Sequence, residues 1–298
     1  MAGKKIIFVT GAHRSGTTWV GKMLSLNPGI RYIHEPFNID EPRVHPFRYW
    51  FEYIHDKTPA ERQKEVFNFL YGLSFYTRKG IQAEIKSING PRDILRLTGN
   101  LLSAPFTIPL IKDPLAIMST EWIANKFNAR VVIMVRHPAA FVASIKVKKW
   151  THPFDHFTSQ PDLMEVLSPF AAKINEFASA KTEQDLIEQG ILLWNIIYHR
   201  VSELKDSHPK WIYVRHEDLS VNPLEEYQKL YRQLGLKFTN IAKKGIIEST
   251  TAIKESRLAR DSRKNITTWK SRLTPEEIER IKEGTRKIWS IYYTPEDW

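Results

Sequence analysis

The residues with the clearest chemical meaning lie in KKIIFVTGAHRSGTTWVGKM, residues 4–23. Gly11 and Gly16 frame a G-x-x-x-x-G loop between a short apolar run, Ile6 to Val9, and a helical pattern opened by Thr17, Thr18, Trp19 and Val20. Backbone N–H groups in such a strand–loop–helix turn attract phosphate, as does the positive end of the helix. The lysine that follows the second glycine of a Walker A loop is missing. Thr17 stands in its place, and the nearest positive charge is Arg14, two residues before Gly16. Magnesium-nucleotide phosphoryl transfer relies on that lysine, so the loop suits another anionic ligand. A second candidate is Arg136, which ends the apolar run Val131 to Val135 and is followed by Pro138 and by Ser144, eight residues on. The run reads as a fully buried parallel strand, and Pro138 pre-sets the first turn of a helix carrying Ser144. Arg136 is therefore expected at the carboxyl end of a strand, where open α/β sheets bind ligands. Lys112 closes another apolar run and reaches the same crevice, while Asp113 is either a second carboxylate or a local cap before Pro114.

GAHRSGTTW resembles the 5′-phosphosulfate loop of sulfotransferases that use 3′-phosphoadenosine 5′-phosphosulfate (PAPS), and VVIMVRHPAAFVAS, residues 131–144, is similar to their 3′-phosphate motif. SRKNITTWKSRLTPEEIERI, residues 262–281, is similar to the C-terminal stretch in which Arg-Lys-Gly grips the 3′-phosphate. Arg263, Lys264, Asn265 and Trp269 fill those places, and Asn265 substitutes for glycine because Asn also enters left-handed conformations. WIYVRHEDL, residues 211–219, resembles the strand and turn before the family's late helices. The similarity runs from residue 6 to about residue 290, with the middle blocks unmatched.

The resemblance implies PAPS as donor, adenosine 3′,5′-bisphosphate as product, and no metal. It assigns donor binding to Arg14, Ser15, Gly16, Thr17, Thr18, Trp19, Arg136, Ser144, Arg263, Lys264 and Asn265, and catalysis to Glu35, Arg14 and Lys112. Glu35, in YIHEPFN, stands where many carbohydrate and tyrosylprotein sulfotransferases carry the glutamate that deprotonates the acceptor. Cytosolic small-molecule members use a histidine within Lys-Thr-His, and this chain has Lys112-Asp113-Pro114 there. Asp113 and His34 remain alternative bases, and a plain surface carboxylate before Pro36 remains the bland reading of Glu35. Trp50, Phe51 and Tyr53 suit either stacking on an acceptor or core packing. His152 and His156 are four apart with Pro153 between them and no third ligand, which argues against a metal site.

Those residues require a scaffold of parallel strands. The sequence predicts strands at 6–10, 31–34, 106–112, 130–135 and 211–215, with helices at 17–26, 59–75, 117–127, 138–149, 183–206, 222–235, 239–249 and 274–291. Residues 40–105 read as helices and loops laid over the sheet, and the proline-containing stretch near 152–168 reads as an irregular loop or lid. This alternation is that of an α/β fold, a single domain over 1–298 with a central parallel β-sheet flanked by helices, P-loop nucleotide-binding-like.

Length and composition are consistent with that expectation. The 298 residues are enough for one large domain, and 42% hydrophobic with 26% charged residues is ordinary for a soluble globular chain. There are no cysteines, which excludes disulfides and thiol catalysis. No apolar run approaches the roughly 18 residues that span a bilayer, so a soluble, cytoplasmic protein without an integral membrane segment is expected. The net charge of +11 calls for an anionic partner: nucleic acid, an acidic membrane surface, or anionic small molecules and glycans. The basic residues are dispersed, which favours a multiply charged donor over nucleic acid. The expected reaction is sulfuryl transfer to a hydroxyl of a small-molecule, lipid or glycan acceptor, with a carbohydrate preferred. The alternatives are a nucleotide kinase-like phosphotransferase and a non-enzymatic polyanion- or nucleic-acid-binding protein.

Overall fold

The apolar runs at 6–10 and 130–135 are neighbours at the centre of a five-stranded parallel sheet. A computed structural model describes residues 5–86, 88, 90–181, 184–250 and 266–298. Its strands are β1 (Ile7–Gly11), β2 (Ile30–His34), β3 (Ile108–Lys112), β4 (Arg130–Val135) and β5 (Ile212–Arg215), in the order β2-β3-β1-β4-β5. Val9 pairs with Lys112 on one side and with Val132 on the other. Strand residues alternate between two cores, as a sheet covered on both faces requires. Phe8, Val131, Ile133 and Val135 enter one core, and Ile7, Val9, Val132 and Met134 the other.

The helices are α1 (Thr17–Leu24), α2 (Ala60–Phe75), α3 (Arg78–Ile85), α4 (Pro91–Ser103), α5 (Thr120–Phe127), α6 (Pro138–Lys148), α7 (Asp155–Thr158), α8 (Pro161–Val166), α9 (Ala171–Ser179), α10 (Leu186–Ser207), α11 (His216–Val221), α12 (Pro223–Gln233) and α13 (Asn240–Thr250). Two further helices cover Pro275–Gly284 and Arg286–Trp289. Val20, Met23 and Leu24 of α1 pack into one core with Tyr227, Leu230 and Tyr231 of α12. Buried residues of α6 and α10 fill the other core, where a Cβ at Gly190 would lie 3.0 Å from Val142. Because α1 follows β1 on one face and α6 follows β4 on the other, the crevice at the carboxyl ends of β1 and β4 is a topological switch point.

Several elements depart from the sequence expectation. The stretch near 152–168 is not an open lid: it forms α7 and α8, and Phe154, Phe157, Leu163 and Leu167 bury their side chains in the main core. Its prolines start helical turns, Pro161 at the first turn of α8. The expected strand at 106–112 begins only at Ile108, after a 3₁₀ turn over Ala104–Phe106, and the expected helix 274–291 is interrupted at Thr285. An additional helix, α11, starts directly at the end of β5. The described residues include no helix long and apolar enough to cross a membrane.

Candidate functional site

Each strand delivers its chemically interesting residues at its carboxyl end. The loop after β1 turns tightly: Ser15 Oγ donates to the carbonyl of Ala12 at 2.5 Å, and Arg14 and Gly16 have φ of +64° and +93°. Gly16 is required on two counts, its left-handed backbone and a Cβ position only 2.6 Å from His216 Cδ2. Thr17 and Thr18 then open α1, so its free N–H groups face the crevice. Trp19 packs edge-on against Tyr227, and its indole N–H donates to Ser249 Oγ at 3.0 Å.

The two arginines singled out by the sequence meet across the switch point. Arg14 Nε donates to Ser144 Oγ at 2.9 Å, and its guanidinium lies 5.4 Å from the Trp150 ring centroid. Arg136 donates from its guanidinium to the carbonyl of Arg14. Its backbone is clamped by α10: Arg136 N–H donates to the Tyr198 hydroxyl at 2.9 Å, and Trp194 Nε1 donates to Arg136 O at 3.0 Å. Burial pushes the Arg136 guanidinium below its ordinary pKa against the attraction of buried Glu217. Its Nε is buried without a hydrogen-bond partner among the described residues. That orphaned donor beside a cationic, glycine-framed loop fits an anionic ligand. Arg263, Lys264 and Asn265 lie outside the described residues.

On the other side of β1, Glu35 and Lys112 form an ion pair. Lys112 is completely buried, whereas the Glu35 side chain retains 17% exposure. Glu35 follows β2 with φ +37°, its N–H donating to Lys112 O at 2.8 Å and its Oε2 accepting from Asn38 Nδ2 at 2.9 Å. Burial acts to raise the Glu35 pKa, but the Lys112 ammonium, His34 and the hydrogen bonds from Lys112 and Asn38 outweigh it and hold the carboxylate below its ordinary range. Burial lowers the Lys112 pKa, an effect that Glu35 only partly offsets. The Glu35 charge also acts on His13 in the phosphate-type loop, whose pKa falls to about 4 through burial and the neighbouring Arg14.

The alternative bases have other occupations. Asp113 is fully buried, accepting from Phe37 N–H at 2.6 Å and Leu115 N–H at 2.9 Å, with a pKa raised to about 7 by burial and then by Glu35. It thereby ties the Glu35 loop to β3. His34 is pushed to about 4 by burial and by Lys112, and its Nε2 lies 3.6 Å from Glu41. His34, Glu35 and Glu41 bring potential ligand atoms within 4.8 Å of one another, but Lys112 already engages Glu35. Phe51 is wholly buried in the core, and Tyr53 stacks on His55 at 4.6 Å. His156 Nδ1 accepts from Trp50 N–H at 3.0 Å, and His152 sits among Phe51, Phe154 and Phe157.

Sequence reasoning did not single out Tyr198, His216 or Glu217. Glu217 accepts from His137 N–H at 3.1 Å and from the Tyr293 hydroxyl at 3.0 Å. HEDL after a strand is a legible signal for the last two, since carboxyl ends of strands carry ligand-facing residues. Tyr198 gives none, because an aromatic at helical spacing reads as core.

The profile of the sulfotransferase family matches residues 7–240, and the chain belongs to that family. Its membership places it among proteins of sulfuryl transfer. Among solved structures, it is similar to the sulfotransferase domain from the curacin biosynthetic pathway, with 15% identity and a TM-score of 0.51 over 98% of this chain and 99% of that one. The sulfotransferase domain of the Synechococcus PCC 7002 olefin synthase gives 16% identity and a TM-score of 0.49 over 98% and 96%. No curated protein matches the sequence.

Proposed function

We propose that the chain, residues 1–298 as one domain, transfers the sulfuryl group of PAPS to a hydroxyl of a polar acceptor, with a carbohydrate preferred. The observation that carries this reading is the chain of contacts from Ser144 through Arg14 to Arg136 at the switch point, with the Glu35–Lys112 pair at the ends of the neighbouring strands β2 and β3. Bound PAPS supplies an activated sulfuryl group on a phosphate leaving group. The loop amides from Ser15 to Trp19 and Arg14 would hold its 5′-phosphosulfate, and Arg136 and Ser144 its 3′-phosphate, assisted by Arg263, Lys264 and Asn265. In transfer, the sulfur–oxygen bond to the 5′-phosphate breaks and one to the acceptor oxygen forms, while the acceptor proton passes to Glu35. Lys112 has a double role in this scheme. Its ammonium keeps Glu35 ionised at rest, and by turning toward the oxygen that gains charge it stabilises the leaving group and makes Glu35 more basic.

The Glu35-Pro36 segment and the chain's net positive charge motivate the carbohydrate preference. Calorimetry without added metal is expected to show adenosine 3′,5′-bisphosphate binding at least about tenfold more tightly than adenosine 5′-phosphate, because only the former addresses both anion sites. A mass-spectrometric screen of PAPS against pooled glycans, lipids, phenols and peptides is expected to reveal a sulfated hydroxyl. Equal affinity for the two nucleotides, or no sulfated product in any pool, refutes the assignment.

A further inference from the structure

Helix α4 carries its apolar side outward. Leu95, Leu102 and, in the turn that follows, Phe106 are 72%, 79% and 85% exposed, and Ile94 is also exposed. Leu97 is the buried residue of this helix. Leu95 and Leu102 stand seven residues apart, which at 3.6 residues per turn places them on one stripe, with Ile94 on one flank. Arg92 and Arg96 occupy the other flank and are exposed, as is Lys86 just before the helix, and Arg96 also reaches Asp93 of the same helix at 3.2 Å. Large apolar side chains grouped on a surface mark a binding face.

The company of these side chains selects the partner. An apolar stripe bordered by exposed arginine and lysine has the charge pattern of a helix lying in an anionic lipid interface, with acyl chains beneath it and phosphates along its edge. The chain's net charge of +11 acts in the same direction.

We propose that α4 docks the protein on the surface of an anionic lipid bilayer, with Leu95, Leu102 and Phe106 entering the acyl boundary and Arg92 and Arg96 meeting lipid phosphates. The docking goes beyond the sulfuryl-transfer reading and is tested without any turnover. The full chain is sedimented with vesicles of phosphatidylcholine alone or mixed with phosphatidylglycerol. Binding to the anionic vesicles is expected to exceed binding to the neutral ones by at least about tenfold, and to weaken with salt. The triple change Leu95→Ser, Leu102→Ser, Phe106→Ser is expected to reduce it about tenfold or more, and the pair Arg92→Ala, Arg96→Ala several-fold. Because the chain has no cysteine, Leu102→Cys accepts a single polarity-sensitive fluorophore, whose emission is expected to shift to the blue on anionic vesicles. Absence of a preference for anionic vesicles, absence of the blue shift, or undiminished binding of both multiple variants overturns the proposal. So does a dimer of the parent chain that the triple change dissociates, since a second copy would then cover the stripe.

Discussion

Replacing Glu35 with Gln removes the charge that faces the Lys112 ammonium while keeping the side chain's shape. Lys112 has no exposure, so its charge loses its counter-ion in a place that water does not reach. Breaking a buried ion pair costs about 3–5 kcal/mol. Glu35 is 17% exposed, and Gln retains an acceptor for the ammonium, which reduces the expected loss to about 2–3 kcal/mol, or roughly 4–6 °C in a chain of this size. The loss has a pH signature. Lys112 has a folded pKa below its unfolded value, so the unfolded chain binds more protons, and stability rises with pH across the window between the two values. Without Glu35 the folded value falls further and that window widens downward. The deficit of Glu35→Gln relative to the parent is therefore largest near neutral pH and shrinks toward pH 10. A second change, Lys112→Met, is expected to restore most of the stability by removing the uncompensated charge. Turnover is expected to behave differently: with Glu35 as the proposed base, Glu35→Gln should lower it by roughly 10²-fold or more, and the double variant should remain inactive, because proton acceptance is not restored. Thermal unfolding from pH 6 to 10, together with turnover on the true acceptor, tests both halves. A pH-independent deficit, or full activity of Glu35→Gln, refutes the reasoning.

Gly16→Ala forces a Cβ into a left-handed position 2.6 Å from His216 Cδ2, so we expect a loss of about 2–4 kcal/mol in chemical denaturation and no measurable nucleotide affinity in calorimetry. Arg14→Ala is expected to lower turnover at saturating donor more than Arg136→Ala, whose main effect falls on donor affinity; steady-state kinetics of the two variants separate the roles. His137 is held near pKa 3 by burial, so the neutral ring's full contribution is present above pH 6.5 and is lost as pH falls from 6.5 toward 3. Relative to His137→Phe, the parent is expected to lose up to about 1.4 kcal/mol per pH unit over that window, measured by denaturant unfolding at pH 7, 6, 5 and 4.

The parallel-sheet core was legible because strands buried on both faces leave continuous apolar runs, as Ile6 to Val9 and Val131 to Val135 do. The loop from Gly11 to Thr18 was legible for a local reason: a phosphate-type turn needs its glycines and hydroxyls at fixed short spacing. Arg14, Arg136 and Ser144 were each proposed from their own segments, and Glu35 from its resemblance to the glutamate of carbohydrate and tyrosylprotein sulfotransferases. What local pattern does not contain is which of these side chains touch. The contact of Arg14 with Ser144, 130 positions away, follows from β1 and β4 being neighbours, and the Glu35–Lys112 pair from β2 lying beside β3. The buried setting of Asp113 likewise comes from chain far from it, as Phe37 closes over its carboxyl group. The α7–α8 segment shows the same limit, since its prolines suggest a loop while its burial depends on a core assembled from distant residues. Sequence named the candidate groups for the chemistry, because candidacy is read from residue type and short spacing. Tertiary structure alone decided their pairing and their protonation, because strand order and burial are set by the whole chain.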